Sequence, residues 1–243
     1  MSMESRFTRA SDLQVRVAHD GASVITGLGI VYGKISQDLG GFVEVIDHAA
    51  ARKTLGDGAK NVYASFNHNP DHILGRVSAG TLRLSNGVEG LQYEVDPSTD
   101  SPVAQHVLSA VRRGDVEGSS FTFRLAGDGD TWDVLPDGQV LRTVKELRLY
   151  ELGPVVNPAY LDTTSQARSV LSGLATSRGV ELEEVLRCAQ EGHLRQVVEA
   201  TVETVSEDVH GLGTGDTEGR QEPGNHSDRL AVKRARLVLA RKR

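Results

Sequence analysis

The chain has a single cysteine, Cys188, in 243 residues. That excludes an intramolecular disulfide framework and a cysteine-rich zinc site. Aromatic residues are scarce at 5% and fall before residue 161, so a sizeable core is expected only in the first two thirds. No apolar run is long enough to span a bilayer, and no apolar segment near the N-terminus reads as a signal peptide. The expectation is a soluble protein made in a reducing compartment. Basic charge is not in excess either. The net charge of −6 argues against nucleic-acid binding by the whole protein. Glycine-rich phosphate loops, His-Glu-x-x-His and Gly-x-Ser-x-Gly are all missing, which counts against P-loop, zincin and serine-esterase chemistry.

What the sequence does hold is a run of short strands. Ser23 to Tyr32 is β-branched and interrupted by Gly27 and Gly29, suiting a bent or bulged strand. Asn61 to His68 alternates, with Val62, Ala64, Phe66 and His68 on one face, and Asn69-Pro70-Asp71 then turns the chain. Ile73–Val77, Thr81–Leu84 and Gly90–Val95 continue an antiparallel meander, with a further turn at Asn86-Gly87. One helix interrupts it. Ser101 is the candidate N-cap, Pro102 occupies the first helical position, and Gly114 stands where a left-handed C-terminal residue belongs. Val140–Leu152 is another strand candidate, and Asn157-Pro158-Ala159-Tyr160 closes the β-rich part.

That helix leads into Ser119-Ser120-Phe121-Thr122-Phe123-Arg124-Leu125, which has a period of two. Phe121, Phe123 and Leu125 share the core face, which leaves Ser120, not Ser119, as the hydroxyl on the opposite face. Alone, this is either an ordinary strand opened by small residues or a strand presenting a nucleophile. A nucleophilic serine needs a base and a group that orients the base. His68 is either such a base, held at a hairpin's end, or a turn histidine bonded to the backbone. His68, Asp71 and His72 together give a weak metal-binding reading. No histidine lies between Ser120 and residue 160, so a third group there is a carboxylate. Glu151 stands out, because continued alternation puts it on one face with Leu147 and Leu149. A carboxylate there needs a partner, and a structural ion pair with an arginine is the plain alternative.

In their order these segments resemble the prohead (head-maturation) proteases of tailed bacteriophages, serine peptidases with a herpesvirus assemblin-like fold. The resemblance rests on Ile25–Gly29, Gly41–Glu44, Phe66-Asn67-His68-Asn69 with Leu74-Gly75-Arg76, and Gly90-Leu91. It continues through Arg113-Gly114-Asp115, Ser120–Phe123, Glu151-Leu152 and Asn157–Tyr160. It covers roughly residues 20–168 and implies that Ser120 is the nucleophile, His68 the base and Glu151 the acidic member. Family members commonly have methionine before the serine and serine after the Glu-x pair, where this chain has Ser119 and Gly153. The expected fold is α+β, a β-rich closed or nearly closed antiparallel barrel with surrounding helices over residues 15–168. Oxyanion candidates are backbone N–H groups near Gly118–Ser120, including that of Ser119, and the Arg142 side chain.

The implied function is cleavage of scaffold and major capsid protein extensions inside the procapsid, in the bacterial host cytoplasm. Self-cleavage is expected near residues 165–180. No metal or organic cofactor, membrane or specific nucleic acid is implied, and a homo-oligomer is left open. The reading from another class is a catalytically inactive protease fold acting as a scaffold or assembly module.

Composition changes after residue 168. Residues 169–210 are acidic with helical spacing, and 211–227 have linker composition. Arg229 to Arg243 is amphipathic and carries seven Lys/Arg. The whole of 169–243 is expected to bury too little apolar surface for a core, and to act as a detachable helical or disordered targeting tail whose basic end is the targeting segment.

Overall fold

Short β-branched runs set off by Gly, Asn and Pro turns produce strands of three to nine residues. The structure, a computed structural model, describes residues 3–8, 12–156 and 163–200. In chain order its strands are β1 (Glu4–Thr8), β2 (Gln14–Val17), β3 (Ser23–Val31), β4 (Val43–Ile46), β5 (Tyr63–Ser65) and β6 (Ile73–Arg76). They continue with β7 (Leu82–Asn86), β8 (Gly90–Val95), β9 (Gly118–Leu125), β10 (Asp130–Val134), β11 (Val140–Val144) and β12 (Leu147–Val155). The helices are α1 (Arg52–Gly56), α2 (Pro102–Arg113), α3 (Thr163–Arg178), α4 (Leu182–Gln190) and α5 (Leu194–Glu199).

The strands form three sheets, ordered β1-β9-β12-β5-β6, β10-β11-β4 and β2-β3-β8-β7. Most neighbours are antiparallel, but β12 runs parallel to β5 and β11 parallel to β4. The α+β class stands, whereas the expected closed or nearly closed antiparallel barrel does not, because none of these sheets closes on itself. A 3₁₀ turn at Val77–Ala79, ended by the left-handed Gly80, lies where consecutive β6 and β7 could have joined two sheets. β7 instead pairs with β8 in a different sheet. One shared core lies between the sheets and α2, with Ile25, Leu91, Tyr93, Val107, Phe121, Phe123, Leu147 and Leu152 all buried. Burying a side chain of this size contributes about 1.5–3 kcal/mol before entropy is counted.

α2 forms as its end signals require. The Ser101 hydroxyl accepts a hydrogen bond from the Ala104 backbone N–H, Pro102 opens the helix, and Gly114 ends it at φ 79°. Val107, Ala110 and Val111 face the core.

The segment after residue 168 departs from expectation. α3, α4 and α5 bury Val170, Leu171, Leu174, Val185, Cys188, Leu194 and Val197 in a second cluster with Phe42 and Val140. Trp132 packs against the same cluster, its ring tilted 59° to that of Phe42 with the centroids 5.0 Å apart. The aromatics this segment lacks are supplied by the β-rich part, so residues 169–199 share a core that they could not build alone. The linker and basic stretch, residues 201–243, and Asn157–Tyr160 lie outside the described residues.

Candidate active site

β9 carries both serines, and its parity separates them. Ser119 points inward, fully buried, with its hydroxyl 2.9 Å from that of Tyr93. Burial pushes the Tyr93 phenol well above its ordinary range. Ser120 and Thr122 occupy the other face, as the positions of Phe121 and Phe123 require.

His68 reaches Ser120 by a route that alternation does not describe. β5 ends at Ser65, and Asn67 and His68 are both left-handed, with φ of 56° and 57°. Such a backbone is uncommon outside glycine, although asparagine tolerates it. Two bonds to the end of β12 hold Asn67. Its N–H donates to the Pro154 carbonyl at 3.0 Å, and its Oδ1 accepts from the Val156 N–H at 2.9 Å. The pair of left-handed residues swings the imidazole back over the sheet instead of letting it follow Phe66 into the core.

Glu151 arrives by a second irregularity. In β12, Leu149 pairs with Phe123, yet Glu151 pairs with Thr122, because the register shifts between them. The extra residue, Tyr150, reverses the parity. Leu149 and Leu152 stay in the core, and Glu151 turns to the face of Ser120 and Thr122. The expectation that Glu151 shares a face with Leu147 and Leu149 is therefore corrected.

The three side chains meet. Glu151 Oε2 is 2.5 Å from His68 Nδ1, and His68 Nε2 is 2.5 Å from Ser120 Oγ. Ser65 donates to Glu151 Oε1 at 2.8 Å, and Thr122 donates to Oε2 at 3.1 Å. These are the partners a buried carboxylate needs, with no arginine among them. An ionised carboxylate only accepts, so it favours a proton on His68 Nδ1 and leaves the Nε2 lone pair facing the Ser120 hydroxyl. Ser120 is 2% exposed and Glu151 3%, whereas the His68 side chain is 25% exposed, so the site opens to solvent on the imidazole side.

A family model for caudovirus prohead serine proteases matches residues 11–175. The chain belongs to that family. The bacteriophage T4 capsid assembly protease, gp21, aligns at a TM-score of 0.43 and 10% identity, over 64% of this chain and 99% of that one. No curated protein matches the chain.

As a prohead protease the chain is a serine peptidase of phage head maturation. Among the described residues, no group of three or more His, Cys, Asp or Glu is placed to hold a metal ion. His72 stacks near Phe66, and His106 meets the edge of the same ring. Arg142, the side-chain oxyanion candidate, sits elsewhere in a buried ion network. It donates to Glu4 at 2.6 and 3.0 Å, to Glu44 at 2.8 Å and to Asp130 at 2.7 Å. All three of its guanidinium nitrogens are thus engaged by carboxylates. Backbone N–H groups near Gly118–Ser120 keep the oxyanion role as a candidate.

Ser65, Thr122, Asn67 and Tyr93 support the site without having been singled out in the sequence. Only Thr122 carried a signal, its shared face with Ser120. β1 was missed altogether, since it lies before the expected domain start at residue 15. It pairs with β9 so that Phe7 faces Ser120, and its Ser5 hydroxyl is 2.9 Å from that of Thr122.

Proposed function

We propose that this prohead protease is a Ser-His-Glu endopeptidase that cleaves scaffold and capsid-protein extensions within the procapsid, inside the host cell. The supporting observation is the hydrogen-bonded chain from Glu151 through His68 to Ser120, with both links at 2.5 Å. Ser120 Oγ attacks the scissile carbonyl carbon while His68 Nε2 takes its proton, giving a tetrahedral oxyanion. Glu151 holds the ring orientation and stabilises the imidazolium. His68 then protonates the departing amine, and an ester to Ser120 remains. A water molecule, deprotonated by the same imidazole, attacks that ester, and the returning proton restores Ser120. Oriented backbone N–H groups lower the barrier wherever they meet the oxyanion, and one such donor is worth roughly 10²–10³ in kcat.

Self-cleavage belongs to the same reading, but its expected place moves. Residues 165–178 lie in α3, which buries Val170, Leu171 and Leu174, and peptide cleavage requires extended chain. The reading therefore places self-cleavage beyond Glu199, and assigns the basic stretch Arg229–Arg243 to docking on acidic capsid or scaffold surfaces.

The test incubates full-length protein with purified major capsid and scaffold proteins and follows products by intact mass. Defined fragments that Ser120→Ala does not produce are expected, together with labelling of Ser120 by a fluorophosphonate. Equal cleavage by Ser120→Ala overturns the reading.

A further inference from the structure

β9 has two neighbours, and each occupies one of its edges. β12 supplies Glu151 and is indispensable to the site. The other edge, the one beside Ser120, is held by β1, an outermost strand whose residues precede the span shared with the family. Peptides are commonly bound as an added strand on a sheet edge. A substrate strand pairing with β9 alongside Ser120 therefore meets β1 in the position it needs.

β1 lies there in a peptide-like but unreactive pose. Glu4 to Thr8 pair antiparallel with Phe123 to Ser119, and the Ser120 hydroxyl is 2.9 Å from the Arg6 carbonyl oxygen. A serine hydroxyl has one proton. If it is given to Arg6, it is withheld from His68 Nε2. The carbonyl oxygen, where attack requires the carbon, faces the nucleophile.

Two charged contacts fasten the strand from below. Glu4 binds Arg142 through two nitrogens, and Arg6 binds Glu44 through Nε at 2.6 Å and a terminal nitrogen at 2.8 Å. Arg142 and Glu44 belong to β11 and β4 and are also paired with each other at 2.8 Å. The groove thus presents one fixed cation and one fixed anion, spaced for an acidic residue and then, two positions on, a basic one.

Building on the catalytic reading above, we propose that β1 is a tethered inhibitory peptide seated in the enzyme's own substrate groove. Substrates enter by displacing it, and Arg142 and Glu44 select strands with an acidic-x-basic pattern. Tethering gives β1 an effective concentration of order millimolar, so a free peptide competes only when the anchors are weakened or when peptide is abundant.

The experiment uses the full chain carrying Glu4→Gln, Arg6→Gln and Ser120→Ala, with a fluorescein-labelled Glu-Ser-Arg-Phe-Thr peptide followed by anisotropy. Binding at least about tenfold tighter than to the Ser120→Ala chain is expected, with a charge-swapped Arg-Ser-Glu-Phe-Thr peptide binding much more weakly. No binding, or equal binding of the two peptides, overturns the proposal. Hydrogen exchange on the unaltered chain gives an independent reading that needs no variant to fold. The amides of residues 4–8 should exchange faster than those of β12, and exchange at the rate of β12 overturns displacement. Fluorophosphonate labelling of Glu4→Gln/Arg6→Gln with Ser120 intact should be at least about tenfold faster than in the unaltered chain, and added peptide should slow it. Peptide binding without any labelling of Ser120 sustains the groove and rejects the nucleophile assignment.

Discussion

Leu149 and Glu151 are two residues apart in β12 and face opposite sides of the sheet. The extra residue between them, Tyr150, sends Leu149 to the core opposite Phe123 and Glu151 to the site opposite Thr122. Deleting Tyr150 removes the bulge and restores strict alternation, which leaves Leu149 opposite Phe123 and Glu151 opposite Thr122. The deletion should therefore keep the carboxylate on the site face and retain peptide cleavage, and loss of cleavage means that the bulge itself sets the approach of Glu151 to His68. Glu151→Gln keeps the shape and should lower kcat by roughly 10²–10⁴, by analogy with other orienting carboxylates. Steady-state kinetics on both variants checks this, and near-normal turnover in Glu151→Gln reduces the site to a Ser-His pair.

The two serines of β9 should separate cleanly. Ser120→Ala removes the proposed nucleophile and should eliminate cleavage with the fold intact. Ser119→Ala leaves Ser120 in place but strips the buried Tyr93 hydroxyl of its 2.9 Å partner. An unsatisfied buried polar group costs about 1–3 kcal/mol, so this variant should keep most activity and lose stability in a denaturant titration. The reverse pattern places the nucleophile at Ser119 and shifts the face assignment by one residue.

The contrast between these predictions shows what could be read from the chain. Ser120 was legible because Phe121 and Phe123 fix the strand's faces with large apolar side chains, and α2 because Ser101, Pro102 and Gly114 act locally. His68 and Glu151 were identified by residue type and by family resemblance, while the backbone that delivers them was not legible. Alternation assumes an unbroken strand, and both residues sit just where it fails, one as the second of two left-handed residues and one after a bulge. β1 left no trace because five half-polar residues carry a weak periodic signal, and their partners are some 115 positions away. The closed or nearly closed barrel came with the family resemblance, and closure depends on non-local pairing that turn residues do not encode. The helices after residue 168 looked coreless because their partners, Phe42, Trp132 and Val140, lie far upstream.

Asn67 offers a test of how His68, the proposed base, is held. Asn67→Ala loses the bond to the Val156 N–H and places alanine in a left-handed backbone, which costs about 1–2 kcal/mol. Asn67→Gly loses only the side-chain bond. A small displacement of a catalytic group can cost about 10²-fold. We expect kcat to fall by about ten- to a hundredfold in Asn67→Ala and less in Asn67→Gly, with little change in KM. Equal, wild-type kcat in both variants means that His68 is positioned by Glu151 alone.

The last prediction concerns acid. Burial alone would raise the pKa of Glu44, but the Arg6 and Arg142 guanidinium groups beside it outweigh burial and hold it below the usual carboxylate range. A carboxylate with a depressed folded pKa stabilises the fold above its unfolded pKa of about 4.3. That contribution disappears as pH falls through the lower folded value. Protonation would also free one anchor of β1, since Arg6 loses its charged partner on β4 and keeps only Glu4 of its own strand, at 2.8 Å. Urea unfolding from pH 7 down to about pH 3 should therefore show stability declining below the ordinary glutamate range. Glu44→Gln should lose about 3–5 kcal/mol at pH 7, because it leaves buried arginine charge short of a counterion. Its remaining acid dependence should be shallower than that of the unaltered chain. An unchanged slope in Glu44→Gln means that other carboxylates govern the acid limb and that the network contributes no pH dependence of its own.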